Sequence, residues 1–506
     1  MSRRARVSRG ARLLAIDQGT TGTTALLLDD RARVTARGYA ELPQHFPRPG
    51  WVEHRGEEIW ETTLRALRAA LRGARAERIA AIGITNQRET ALLWERGSLR
   101  PAAPAIVWQD RRTAGRCEAL RRAGREPLVR KRTGLRLDPY FSATKVEWLL
   151  AHDAGLRVRA RRGAVAFGTV DSWLVAKLTG GAVHATDPTN ASRTLLYDIR
   201  RRRWDPELAD LFGVPEAMLP EVRPSAGDFG ATRGVPGLPD GIPIRGIAGD
   251  QQAALFGQGC VRRGGIKNTY GTGCFLMLHT GAVPTTSRSG LLTTAACGPR
   301  GEPAYALEGS VFIAGAAVQW LRDSLGIIAT AADVEPLARS VPDAGGTVLV
   351  PAFAGLGAPW WRPEARGVWS GLTRGTTRGH LARAALESIA FQTCDVVAAM
   401  EKDARSRVRA LRVDGGAAAN DLLMQTQADL LGIPITRPAM LESTALGAAL
   451  LAGIGAGIWS DRGDVPVSRG GAKVFRPEMS ATERRQKLEV WTRSIRSLLG
   501  GSAKRR

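Results

Sequence analysis

Two short turns rich in glycine and threonine carry the first chemical signal in the chain: Asp17-Gln-Gly-Thr-Thr-Gly22 and Gly271-Thr-Gly273. Small residues leave backbone N–H groups accessible, and threonine hydroxyls add donors, as an anion cradle requires. The Asp17 carboxylate cannot bind phosphate directly, but it suits Mg²⁺, which is usually held through water. One such turn alone reads as an ordinary hairpin. Two copies, one beside an acid, bring the hairpin and the phosphate readings level. The familiar nucleotide motifs are missing. There is no GxxxxGK[ST] and no GxGxxG after a strand, since Gly271-Thr-Gly273 lacks its third glycine. The HRD and DFG signatures of protein kinases are missing too.

Each turn sits between apolar runs. Leu13–Ile16 and Ala25–Leu28 flank the first, and Cys274–Leu278 follows the second, so both read as hairpins about 250 residues apart and hint at two related halves. Trp60, Leu64, Leu67 and Leu71 recur at helical spacing, and Ile79–Ile84 is a strand candidate. His380–Met400 reads as an amphipathic helix. Asp421–Leu431 reads as another, stopped by Gly432 with Pro434 beyond. Val348–Phe353 reads as a short buried strand and Val368–Leu372 as a glycine-bounded turn region. Alternating strands and helices imply an α/β class. No long linker marks a boundary, so the halves are expected to pack closely around a cleft.

Composition bounds the partners. The 506 residues are 44% apolar and 24% charged, which is globular and allows two to four domains. A net charge of +24 suggests nucleic acid or an acidic membrane face. Yet 64 of the 72 basic residues are Arg, a bias typical of a GC-rich genome, and 11 of the 24 charges fall within residues 1–12 and 480–506. The clusters Arg121-Arg122, Arg157–Arg162 and Arg200–Arg203 lack interleaved aromatics, so no nucleic-acid partner is expected. The five cysteines are scattered without metal or disulfide spacing and read as reduced thiols of a cytoplasmic protein. Ala445–Trp459 is too short to span a bilayer and reads as a tightly packed buried helix; no integral membrane association is expected. No apolar h-region precedes Asp17, so no secretory signal is expected.

Longer runs are more specific. They include IDQGTT at 16–21, PGWVEH at 49–54, IGITNQRET at 82–90, VWQDRR at 107–112, DPYFSATK at 138–145, TDPTNASRT at 186–194, GIAGDQQAALFGQ at 246–258, KNTYGTGCF at 267–275, ALEGSVFIAGAAVQWLRD at 306–323, PAFAGLGAPWW at 351–361 and LRVDGGAAANDLLMQ at 411–425. In these the chain resembles the FGGY carbohydrate kinases from about residue 13 to 490, and NQRE with GDQQ marks their glycerol branch. The resemblance implies two ribonuclease-H-like α/β domains, of the actin, heat-shock-chaperone and sugar-kinase type, flanking a nucleotide cleft. The expected division is a basic disordered tail over 1–12, an N-terminal domain over 13–257, a C-terminal domain over 258–490 and a basic tail over 491–506. It implies ATP-dependent phosphorylation of glycerol to sn-glycerol 3-phosphate, with ATP and Mg²⁺, by a homo-oligomer (dimer or tetramer). The alternatives are a kinase of the same family for another small polyol or a pentulose and, far behind, a basic nucleic-acid binder.

The resemblance also assigns roles. Asp250 is the expected general base, because phosphoryl transfer needs a carboxylate to accept the attacking hydroxyl's proton; Ala253–Phe256 behind it offers the competing reading of a helix cap. Arg88 and Glu89, a donor beside an acceptor, suit two neighbouring hydroxyls, although an Arg–Glu neighbour pair is by default a surface ion pair. Glycerol binding is carried onto Arg88, Glu89, Tyr140, Asp250 and Gln251, with Trp108 and Phe275 as apolar walls. Phosphates are expected at Thr20, Thr21, Gly22 and Thr272, adenosine at Gly315, Gln319, Gly416 and Asn420, and Mg²⁺ at Asp17. One departure stands out: the family usually places Arg or Lys a few residues after the DQGTT turn, where this chain has Thr24. The loop Pro239-Asp-Gly241 contains no Arg, and no anionic effector is expected there.

Overall fold

A computed structural model describes residues 10–73, 76–440, 442–460 and 471–501. Two sheets organise it. In the first, strands Val34–Glu41, Gly22–Leu28, Arg12–Gln18, Ile79–Asn86 and Ile244–Gly249 lie in that order. The first three pair antiparallel and the last two join in parallel. In the second, Tyr305–Val311, Cys274–Gly281, Ile266–Tyr270, Leu411–Asp414 and Ile435–Arg437 repeat the same order and the same directions. Leu292–Ala295 and Lys473–Phe475 extend its two edges. Both hairpins read from the sequence thus become the second and third positions of two copies of one topology.

The copies are filled out differently. The first half inserts most of its extra chain between Asn86 and Ile244, and the helix Ser142–His152, the helix Val170–Leu178 and the loop bearing Trp108 fall in that insertion. The second half places its own between Val311 and Leu411, including the long helix Arg378–Ala404. Val368–Ser370, read as a turn region, is a strand: it pairs antiparallel with Val348–Val350, which occupies one edge of each short run.

The Gly/Ala-rich run after residue 443 folds as the helix Ser443–Gly455, nearly all of it buried. Its neighbours belong to the first half: it packs on the strands Arg12–Gln18, Ile79–Asn86 and Ile244–Gly249 and on the helix Asp250–Gly257. A methyl group on Gly83 would strike the carbonyl oxygen of Ala448, and one on Gly447 that of Ala253. Glycine at these crossing points lets backbone meet backbone. The chain therefore returns from the second half to close the core of the first.

The ends differ from expectation. Residues 1–9 and 502–506 lie outside the described residues, but Ala11 is buried and Arg12 opens the first strand. Residues 491–501, expected as a basic tail, complete the helix Ala481–Gly501. Trp491 and Ile495 are buried, and Trp491 stacks on Phe391 at 5.2 Å between ring centroids. The arginines between them masked an amphipathic face whose apolar residues recur at helical spacing. All five cysteines are free and buried. Among the described residues, no helix is long and apolar enough to cross a membrane.

Candidate active site

The strand Ile79–Asn86 ends at the turn of the first hairpin, where Gln87 N donates to Gln18 O at 2.8 Å. Two residues on, Glu89 adopts φ 63°, a left-handed conformation that a side chain rarely takes. This bend follows directly on Arg88, and both side chains are buried where the two halves meet. Neither belongs to a surface ion pair.

Arg88 is held by residues from both halves. Its Nη1 donates to Glu308 Oε2 at 2.6 Å and to Gln252 Oε1 at 3.1 Å. Nη2 donates to Glu308 Oε1 at 3.1 Å and, at 3.4 Å, to the Tyr140 hydroxyl. Nε lies 3.2 Å from Asp250 Oδ1 and 3.7 Å from Glu89 Oε1 as ion pairs. Arg193 closes the ring, with Nε on Glu89 Oε1 at 2.6 Å and Nη2 on Glu308 Oε1 at 2.9 Å. Burial alone would raise the Glu308 carboxyl, but the guanidinium groups of Arg193 and Arg88 override it and hold that carboxyl at about 2.

Asp250 stands at the edge of this network, with its side chain 30% exposed while that of Arg88 is 2% exposed. It is the first residue of the helix Asp250–Gly257 and not its cap, a position taken by Gly249. Gly249 is needed there, since a Cβ would come within 2.7 Å of the Arg88 Cγ. The Asp250 Oδ1 accepts from Gln251 N at 2.7 Å, and the Gln251 side-chain oxygen contacts Lys267 Nζ. Lys267 is buried and also donates to Thr269 Oγ1 at 2.8 Å. Burial lowers its amine to about 8, partly opposed by the charges of Asp414 and Asp250.

The aromatic residues expected as walls lie together. The Trp108 ring lies edge-on to Tyr140 at 5.6 Å and to Phe275, from the other half, at 6.2 Å. Trp108 Nε1 donates to Thr20 Oγ1 at 2.9 Å, which ties the wall to the first Gly/Thr turn. Arg88, Glu89, Tyr140, Asp250, Gln251, Trp108, Phe275 and Thr20 are thus joined by contacts. Thr21 and Gly22 complete that turn, where Gly19 N donates to Gly22 O at 2.9 Å.

Asp17 closes the strand side of the turn and has no ion-pair partner among the described residues. Burial raises its carboxyl to about 7, and the charges of Asp250 and Glu442 push the same way. A half-buried acid near another acid suits a divalent cation brought with phosphates. Among the described residues no cluster of three or more His, Cys, Asp or Glu could hold a metal ion by itself; Mg²⁺ generally takes one or two carboxylates together with water and substrate phosphate. Position 24 is Thr24, which pairs in register with Asp17 on the neighbouring strand. Among the described residues the cation paired with Asp250 is Arg88, at 3.2 Å, not a residue of that hairpin.

The expected adenosine residues gather at the end of the second sheet. Gly315 N donates to Gly271 O at 3.0 Å and Ala316 N to Thr272 O at 3.1 Å, so the helix Gly315–Asp323 starts against the second Gly/Thr turn. Gln319 is exposed on that helix. Gly415, at φ 88°, lies against the Tyr270 backbone, whereas a Cβ on Gly416 would meet nothing within 4 Å. Packing demands the first glycine; open space beside the second leaves room for a flat ring. Asn420 has a structural duty as well: its Oδ1 accepts from Leu423 N at 2.7 Å as the cap of Asp421–Leu431.

Sequence reasoning gave no role to Glu308, Arg193, Gln252 or Lys267. All four lie inside the motif runs, but a polar side chain reveals a partner distant in sequence only when the chain folds. Glu308 and Arg88 are 220 residues apart.

Comparison with known proteins adds independent evidence. Models of the FGGY family of carbohydrate kinases match residues 12–257 for the N-terminal domain and 266–456 for the C-terminal domain. A glycerol kinase of Aromatoleum aromaticum is 56% identical over 96% of this chain and 99% of its own length. One of Myxococcus xanthus is 54% identical over 96% and 98%. A solved structure of Plasmodium falciparum glycerol kinase with ADP superposes with a TM-score of 0.90 at 34% identity, covering 97% of this chain and 98% of that one. Gluconate kinase of Lactobacillus acidophilus, at 22% identity and a TM-score of 0.87, shares the fold. With both domains matched and relatives above half identity along nearly the whole chain, the protein belongs to the FGGY family of carbohydrate kinases.

Proposed function

We propose that the protein transfers the γ-phosphoryl group of ATP to a terminal hydroxyl of glycerol, giving sn-glycerol 3-phosphate. The observation that carries this reading is the half-exposed Asp250 carboxylate beside the buried Arg88–Glu89 pair and the Trp108–Phe275 wall. Arg88 and Glu89 supply a donor and an acceptor for vicinal hydroxyls, and the aromatic edges receive the carbon chain. Asp250 accepts the proton of the hydroxyl that attacks phosphorus, a role that contributes roughly 10²–10⁴-fold. A divalent ion held near Asp17 would neutralise phosphate charge. The turns Thr20–Gly22 and Gly271–Gly273 offer hydroxyl and backbone donors to the phosphates, and the surface by Gly315, Gln319, Gly416 and Asn420 receives the nucleoside. Enclosure between the halves limits transfer to water.

A nucleic-acid reading is not favoured by the arginine clusters, where Arg121 and Arg122 share Glu118 and Arg159 pairs with Glu95 at 3.0 Å. Purified protein with Mg²⁺ and ATP should form ADP only when glycerol is added, and the product should be oxidised by a dehydrogenase specific for sn-glycerol 3-phosphate. ADP formation indifferent to glycerol would refute the proposal.

A further inference from the structure

The bonds of Arg88 are distributed unevenly around its guanidinium. Both Nη groups are engaged, three of their four contacts going to Glu308 and Gln252. Nε makes ion pairs to Asp250 and Glu89, and the remaining Nη2 contact, to the Tyr140 hydroxyl, is long at 3.4 Å. A fork held this way turns Nε towards Asp250 and Nη2 towards the Tyr140 hydroxyl, where the polyol is expected. The carboxylate that grips it comes from the second half: Glu308 lies on the strand Tyr305–Val311, fully buried, while Arg88, Glu89, Tyr140 and Asp250 belong to the first half. Arg193 binds Glu308 and Glu89 together and is itself fully buried.

We infer that Glu308, tied by Arg193, is a positioning residue for polyol recognition, supplied to the first half's substrate site by the second half. It does not reach the reacting atoms. It acts by fixing the plane of the Arg88 guanidinium, so that the donor edge and the Glu89 carboxylate meet two hydroxyls at once. Without its charge, Arg88 has only Glu89 and Asp250 as carboxylate partners. The fork then turns onto them and withdraws the donor from the substrate. A buried ion pair is weak evidence for stability but suits the fixing of one arrangement. The consequence is that polyol affinity depends on the two halves being in register, whereas nucleotide affinity does not depend on Glu308.

This inference rests on the glycerol-phosphorylating reading, and the test separates the two. Full-length wild type and Glu308→Gln are compared for KM and kcat with glycerol and with ATP, and for glycerol binding by calorimetry. The expected result is a KM and a dissociation constant for glycerol raised about tenfold or more, the scale of a lost charge-assisted contact, with the KM for ATP changed less than about twofold. Glu308→Asp, which keeps the charge on a shorter arm, should fall between, and it carries the test if Glu308→Gln does not fold. A purely structural role predicts a lower melting temperature with glycerol KM and binding unchanged, and that outcome overturns the inference. Wild type inactive on glycerol would instead overturn the reading beneath it.

Discussion

The two sheets repeat one topology, yet their equivalent strand ends carry different chemistry. In the first half the hairpin turn has Asp17, and the strands beside it lead to Arg88, Glu89 and Asp250. In the second the matching turn, Gly271–Gly273, has no acid, and the strand Leu411–Asp414 leads to Gly415-Gly416 and the Asn420 cap. One frame thus yields an end crowded with Asp17, Arg88, Glu89 and Asp250, and another where Asp414 is followed by glycines and a capping amide; under the proposed function the first handles protons and hydroxyls and the second receives the nucleoside. Topology sets where strand ends meet; the residues placed there divide the labour.

The largest test of that division is Asp250→Asn. Turnover should fall by roughly 10²–10⁴-fold, with glycerol binding by calorimetry within a few-fold of wild type. Thr272→Ala, at the turn of the second half, should raise the KM for ATP and leave glycerol binding intact. Equal damage by both variants to both substrates would erase the distinction.

Next in size is the helix that crosses between the halves. Gly83→Ala forces a methyl group against the Ala448 carbonyl, and backbone on both sides gives little room to adjust. Unfolding by urea should show a loss of about 1–3 kcal/mol. Gly416→Ala, with open space around the new methyl, should leave stability unchanged and weaken ATP binding. If Gly83→Ala were neutral, the helix Ser443–Gly455 would not close the first core as described.

Acids are treated differently where the halves meet and inside the second half. Glu89 and Glu308 are matched by arginines, whereas Asp395, in the core of the second half, has the indoles of Trp360 and Trp491 at 3.2 and 2.9 Å. Burial raises its carboxyl to about 6 despite those donors. The folded protein therefore holds this proton more tightly than the unfolded chain. Stability should fall as pH rises from the ordinary carboxylate range to about 6, and stay lowered above it. Asp395→Asn, which keeps an acceptor for both indoles, should gain roughly 2 kcal/mol at pH 8 and little at pH 4, measured by thermal melts. A gain independent of pH would contradict this.

The smallest effect separates capping from recognition. Asn420→Ala should lose about 1 kcal/mol of stability, through the missing cap, and raise the KM for ATP. Loss of stability alone would leave Asn420 a cap and nothing more.

Much of this was legible in the sequence, because hairpins, strand ends and helix caps are local patterns. Gly432 stopped a helix where expected, at φ 67°, and the Gly/Ala run after 443 read correctly as a buried helix. Its resting place did not, since glycine spacing shows that something comes close without showing what. Glu308 and Arg193 were illegible for the same reason: neither shows its role until partners about 100 to 220 residues away arrive. The amphipathic helix Ala481–Gly501 was hidden by arginine. The +24 charge that first suggested nucleic acid does not come from this cluster, where two buried arginines meet two buried glutamates.

The central claim is that this site is shaped for a three-carbon polyol. It is tested most directly by measuring kcat/KM on glycerol, D-xylulose and gluconate with the same enzyme preparation and saturating ATP and Mg²⁺. Glycerol should exceed each of the others by about 10²-fold or more, because the Trp108–Phe275 wall and the Arg88–Glu89 pair suit a short chain with vicinal hydroxyls. A pentulose or gluconate turned over as efficiently as glycerol would contradict it.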